Sequence, residues 1–146
     1  MRPGLSWLLP LLFASSVQAA DWVRISIPHT DDEYFYDRSK LVVNGNEVTY
    51  WKKVQFIPPR SVKKLLASST LMRERINCRE HTLRLLSFLY HDAQGAQIEY
   101  VADAEASAAP IIPDTVGDQF EQVLCALARE SGPFLLFPPT IQPNAL

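Results

Sequence analysis

The stretch Glu33–Phe56, EYFYDRSKLVVNGNEVTYWKKVQF, decides how this chain folds. Near its middle, Asn44-Gly45 stands between Leu41-Val42-Val43 and Val48-Thr49-Tyr50-Trp51. Asn and Gly tolerate the positive φ angles of a type I′ turn, so the pair predicts a tight β-hairpin. Beyond the turn, Val48, Tyr50, Val54 and Phe56 keep a period of two, which places them on one face of a strand; only Lys52 interrupts the series. Thr49, Trp51, Lys53 and Gln55 take the other face. Asp37-Arg38-Ser39-Lys40 reads as a second turn, because Asp and Ser side chains bond nearby backbone amides. The stretch specifies a sheet and contains no catalytic motif.

Working outward, Trp22–Ile27 alternates as a first strand, and Pro28–Asp32 is a turn. On the other side, Pro58-Pro59 is expected to end the hairpin strands, since proline cannot donate to a ladder. Ser61–Ser69 fits either a short helix or a loop. Thr70–Cys78 and Thr82–His91 read as two further strands. In the second, Leu83, Leu85 and Leu89 alternate with Arg84, Leu86, Phe88 and Tyr90, so both faces are largely apolar, as in a central strand covered on both sides. Ala93–Ala96 is a turn, Gly95–Ala102 a last strand, and Ala102–Ala109 a loop of small residues. Then the period changes. Val116, Phe120, Val123, Leu124 and Leu127 form one stripe of an α-helix, preceded by Pro113, with Thr115 and Asp118 spaced as a capping box. Strands followed by one amphipathic helix imply an α+β fold: an antiparallel sheet of about six strands with the C-terminal helix packed on one face.

The chain has 146 residues. Residues 1–19 read as an export signal: Arg2 gives a basic start, Leu5–Phe13 an apolar run, and Val17-Gln18-Ala19 the small residues of a cleavage site. The run is too short to span a bilayer, and Pro10 interrupts it. No later stretch is long and apolar enough to span a bilayer, and no lipid-accepting Cys follows the signal; the protein is expected to be exported, to the periplasm or the cell surface. The mature chain of about 127 residues is one domain's worth. The expected division is 1–19 signal, 20–130 domain, and 131–146 a proline-rich apolar tail whose Phe134-Leu135-Leu136-Phe137 run is expected to pack on the domain or on a second copy of it. Charge is unevenly distributed. Residues 52–84 hold nine Lys or Arg against two acids, residues 21–51 three bases against six acids, and residues 85–146 one base against eight acids.

Candidates for chemistry are few. His29, His81 and His91 are scattered, and Asp31-Asp32-Glu33 lacks the pattern of a calcium loop. No phosphate loop, nucleophile elbow or metal-binding helix is present, so no enzyme activity, cofactor or metal is expected. The basic middle is a stronger signal. Lys53, Lys63, Lys64, Arg73 and Arg75 could together form a cationic surface for acidic glycans, lipid headgroups or acidic protein stretches. The plainer reading pairs the basic strands with acidic ones carrying Glu33, Glu47 and Glu99. Acidic flanks and export argue against nucleic acid. Two cysteines in an exported chain favour pairing. On an ideal helix, however, Cys125 lies nearly opposite the stripe centred on Phe120. Either the helix bends or ends near Cys125, or the thiol faces away and pairs between molecules.

The ordered set of a Trp-opened first strand, Tyr34, Tyr36, Asp37 and Ser39, Gly45 with Trp51, Cys78 before Arg79, Tyr90 with Gly95, and Pro113 leading to Cys125 resembles the bacterial surface-adhesin protein E family. The resemblance spans Trp22 to Cys125. It implies a curved antiparallel sheet with its C-terminal helix tied to it by a Cys78–Cys125 disulfide. Closing that span would stabilise the fold by about 4 kcal/mol in the chain-entropy model. It also implies an exported, non-enzymatic binding module. A host matrix protein or an acidic glycan is the candidate partner, and a homodimer a candidate assembly. The alternative is a periplasmic structural or accessory domain with no external ligand.

Overall fold

The structure is a computed structural model that describes residues 19–102 and 106–131. Residues 1–18 of the signal and the Phe134–Phe137 run of the tail therefore lie outside the described residues. Alternation of apolar and polar residues builds eight strands: β1 (Trp22–Ile25), β2 (Glu33–Asp37), β3 (Val42–Asn44), β4 (Glu47–Val62), β5 (Leu65–Asn77), β6 (Thr82–His91), β7 (Gln97–Ala102) and β8 (Ala109–Pro110). One helix follows, α1 (Val116–Glu130). All pairings are antiparallel. The sheet runs β1-β2-β4-β5-β6-β7, with β3 beside β4 and the two-residue β8 beside β6. Eight strands stand where the sequence leads one to expect about six: six form the continuous path, β3 is the first strand of the expected hairpin, and the two-residue β8 is an addition.

Local chemistry accounts for the connections. A single 3-10 turn, Arg38–Lys40, is capped by Asp37, whose carboxylate accepts from the Ser39 amide and hydroxyl at 3.0 and 2.6 Å. The β3–β4 hairpin closes on the pair Asn44↔Glu47, so its central residues are Gly45-Asn46 rather than Asn44-Gly45. Only Gly45 has positive φ, +58°. One positive residue, a glycine in the first central position, is the II′ pattern and not the expected I′. Pro58-Pro59 does not end β4 either. The ladder to β5 breaks between Gln55 and Arg60 and resumes at Arg60↔Ala67, so the prolines sit where no β5 partner requires their missing N–H. Ser61–Ser69 is neither helix nor loop but the far end of the β4–β5 hairpin, turning at Lys63-Lys64.

The inner face of the sheet carries the core. Ile25, Tyr36, Val48, Tyr50 and Ile76 pack against Phe120, Leu124 and Cys125 of α1. Val54, Phe56 and Ala67 form a second cluster beside it. Tyr50 stacks on Phe120 with ring centroids 5.6 Å apart. The expectation that β6 is covered on both sides fails: only Ser87 of that strand is buried, because α1 lies over one face of the sheet.

The helix begins as its residues dictate. Thr115 Oγ1 accepts from the Asp118 amide, and the Asp118 carboxylate accepts from the Asp114 amide, one residue earlier than in a capping box. Its buried residues are Phe120, Glu121, Leu124 and Cys125. At 100° per residue, that face is turned by roughly 90° from the apolar stripe read in the sequence. Val116, Val123 and Leu127 remain half-buried at the margin of the core. Two links to the turn between β5 and β6 hold this rotation. Cys125 is bonded to Cys78, with Cα atoms 5.8 Å apart, and the Glu121 carboxylate lies 2.7 Å from His81 Nδ1. The helix does not end near Cys125 but runs on to Glu130, and Cys125 faces the sheet, bonded within the chain.

Candidate functional site

Because α1 covers one face, the side chains on the other face of the sheet have no helix over them among the described residues. Register decides what that face displays. Trp51 stands opposite Arg73, Thr49 opposite Arg75, and Lys53 between Phe35 and Leu71. On the next strand Arg75 stands opposite Arg84, and Arg73 opposite Ser87. The ladder shifts between Arg73 and Glu74, which leaves Leu86 without a partner on β5. The result is a concavity of about 370 Å³ bordered by Arg73, Arg75 and Arg84, with Leu86, Ser87 and Tyr100 as its less charged walls.

The sequence expectation joined Lys53, Lys63, Lys64, Arg73 and Arg75 in one surface. The structure joins only the two arginines, and adds Arg84 from the largely apolar strand β6. The signal was present: Arg84 is the one charged residue in the series Arg84, Leu86, Phe88 and Tyr90, as Lys52 is in the series Val48, Tyr50, Val54 and Phe56. Its meaning depended on the register that puts it opposite Arg75. Lys53 lies under two rings, its Nζ 4.8 Å from the Trp22 centroid and 4.6 Å from that of Phe35. Lys63 and Lys64 occupy the hairpin turn at the other end of β5, where Lys63 Nζ pairs with Glu99 at 2.7 Å.

Cross-strand pairing uses the acids the sequence pointed to, though not evenly. Glu33 pairs with Arg24 at 3.2 Å, Glu99 with Lys63, and Glu47 with Arg75 at a loose 3.7 Å. Arg75 Nε also donates to Thr49 Oγ1 at 3.2 Å. Among the described residues no carboxylate lies within ion-pair distance of Arg73 or Arg84. A guanidinium presents a planar fork of N–H donors, which suits carboxylate, sulfate and phosphate groups. Tyr100, 56% exposed, adds an aromatic ring and a hydroxyl at the rim.

The other polar clusters are structural. On the inner face, the Tyr50 hydroxyl donates to Glu74 Oε2 at 2.5 Å, and Lys52 Nζ donates to Glu74 Oε1 at 2.6 Å, beneath Phe120. Burial, and then the negative Glu74 beside it, push the Tyr50 pKa well above its ordinary value, so the hydroxyl keeps the proton it donates. Tyr50 is fully buried and touches no solvent. Asp32, from the acidic run at the start of β2, is also buried. It accepts from the Ile57 amide at 2.9 Å and pairs with Arg60, tying the β4 irregularity to the turn before β2. Among the described residues no helix is long and apolar enough to cross a membrane.

The family profile described as surface-adhesin protein E matches residues 22–126. Among solved structures, that of protein E from non-typeable Haemophilus influenzae is 18% identical, covers 80% of this chain and 82% of its own, and superposes with a TM-score of 0.54. Crystal form II of Haemophilus influenzae protein E is 17% identical, covers 86% of this chain and 99% of its own, with a TM-score of 0.56. At such identities the likeness establishes the fold. No curated protein matches the sequence.

Proposed function

The chain belongs to the surface-adhesin protein E family, and we propose that it is an exported, non-enzymatic module that binds acidic groups of a macromolecule through the helix-free face of its sheet. The observation that carries this reading is the direct opposition of Arg75 and Arg84, with Arg73 beside them, around an open concavity. Like charges on facing residues of neighbouring strands destabilise a sheet, so the arrangement costs the fold something and is offset when an anion sits between the guanidinium groups. Leu86 and Tyr100 supply apolar contact beside the charges, as a polymer with acidic substituents on a less polar backbone requires. Matrix proteins with acidic stretches and acidic glycans meet that description.

Exposed charges are screened over about 8 Å at physiological salt, so binding should weaken as salt rises. Immobilised matrix proteins and acidic glycans, assayed at low and high salt, provide the test. The Arg73→Glu/Arg84→Glu variant should bind at least about tenfold more weakly, because like charges then face each other across the interface. Binding and salt dependence unchanged in that variant would remove the arginine concavity from the reading. The placement at the cell surface rather than within the envelope is checked by fractionation and protease shaving of intact cells. Protection from the protease would favour an accessory role in the periplasm.

A further inference from the structure

The far end of the β4–β5 hairpin, on a different part of the molecule, has a composition that the anion-binding face does not explain. Of the large apolar side chains exposed among the described residues, three fall between Ile57 and Leu66: Ile57 at 48%, Leu65 at 56% and Leu66 at 65%. The same segment holds Arg60, Lys63 and Lys64 and no acid. Leu65 faces Val62 and Leu66 faces Ser61 across the ladder, so the two leucines point to opposite faces of the ribbon and neither face can bury both. Only an environment that surrounds the tip can take them together.

The turn adds a second observation. Lys63 and Lys64 have φ of +48° and +66°, a region that bulky L-residues rarely adopt and that hairpins normally fill with Asn or Gly. Long cationic side chains thus occupy two positions where the backbone favours small residues. They stand next to the leucines at the extremity of the ribbon. Lys63 leans back to Glu99 and Arg60 to Asp32, whereas Lys64 has no carboxylate within ion-pair distance among the described residues.

The geometry points to a membrane-docking tip: Leu65 and Leu66 enter the headgroup–acyl boundary of an anionic bilayer, and Lys64 contacts the lipid phosphates. Leucine burial provides attraction without direction, and a lysine near the surface adds attraction to anionic lipid. The apolar ends of lysine stems also lie comfortably against acyl chains while their ammonium groups stay at the phosphates. Leu66 and Arg73 are seven positions apart on β5, a span of about 23 Å. A domain docked by its tip therefore keeps the arginine concavity clear of the bilayer.

Flotation of the mature chain, without residues 1–19, with vesicles of phosphatidylethanolamine and phosphatidylglycerol, compared with phosphatidylcholine vesicles, tests the inference. Binding should favour the anionic vesicles, fall as salt rises, and drop at least about tenfold in Leu65→Ser/Leu66→Ser. Both leucines are exposed, so the variant should melt like the parent. Brominated lipid should quench a Leu66→Trp variant more than the parent, whose Trp22 and Trp51 lie away from the tip, and the difference reads insertion of the tip. Absence of vesicle binding, quenching no greater than the parent's, or equal binding to phosphatidylcholine overturns the inference. So does binding that survives the leucine substitutions but is lost in Arg73→Glu/Arg75→Glu. A leucine-dependent dimer in light scattering without vesicle binding would instead assign the tip to a second copy of the chain.

Discussion

Glu74 shows how much one buried acid organises. Its carboxylate receives the Tyr50 hydroxyl and the Lys52 ammonium beneath Phe120, and both Lys52 and Glu74 side chains are at most 10% exposed. Removing one partner of such a pair leaves the other charge buried and alone. Glu74→Ala should therefore cost about 3–5 kcal/mol in urea unfolding. Lys52→Met/Glu74→Gln keeps an acceptor for Tyr50 and removes both charges; it should cost far less, since buried pairs add little net stability over apolar replacements. If the two variants were equally destabilised, packing rather than charge would be responsible. Tyr50 gives a pH test. Its folded pKa is raised, so below about pH 10 the proton is bound in both states and stability is unaffected. As pH climbs above that range, the unfolded tyrosine ionises first, the unfolded state binds fewer protons, and stability falls. Tyr50→Phe should flatten that alkaline decline by one tyrosine's contribution when unfolding is followed across the alkaline range.

At the scale of elements, α1 is docked by two different kinds of contact. Phe120 and Leu124 are fully buried against the sheet, and Phe120→Ala should cost about 3–5 kcal/mol. The Cys78–Cys125 bond closes a sequence separation of 47 residues, and its loss in Cys78→Ser/Cys125→Ser should cost about 4 kcal/mol on the chain-entropy account. Peptide mapping without reduction should recover the two cysteines in one linked fragment of a monomer; free thiols or an intermolecular link would contradict the fold described above. The β3–β4 turn offers a smaller test. A methyl group at Gly45 would meet nothing within 4 Å, so Gly45→Ala probes the +58° φ alone and should cost about 1–2 kcal/mol in thermal unfolding.

For the whole molecule, one aromatic residue joins the two parts of the core. Tyr34 packs against both the cluster under α1 and the cluster of Val54, Phe56 and Ala67. Residues 20–131 should therefore unfold as one unit, with aromatic and backbone circular dichroism giving the same midpoint. Separate midpoints would mean that the hairpin end melts independently of the helix-covered part. The charge distribution also acquires a shape at this scale. The basic segment of the sequence does not become one patch. It divides into a buried lysine, a lysine under two rings, an arginine concavity and a cationic hairpin tip.

The sequence by itself determined what depends on neighbours along the chain. The period of two located the main strands, Thr115 and the apolar spacing located the helix, and the order of strands then helix gave the α+β class with the helix on one face. Its family motifs gave the pairing of Cys78 with Cys125. Tertiary structure alone decided what depends on register and on which surfaces meet. It carried β4 past Pro58-Pro59, where a break in pairing leaves the absent amide without consequence. It turned α1 away from its apolar stripe so that Cys125 and Glu121 reach the β5–β6 turn. It set Glu74 against Lys52, and Arg84 against Arg75. A local period tells which residues share a face, but the partner across a strand comes from a distant part of the chain. Its choice is settled by the packing of the whole sheet and helix together.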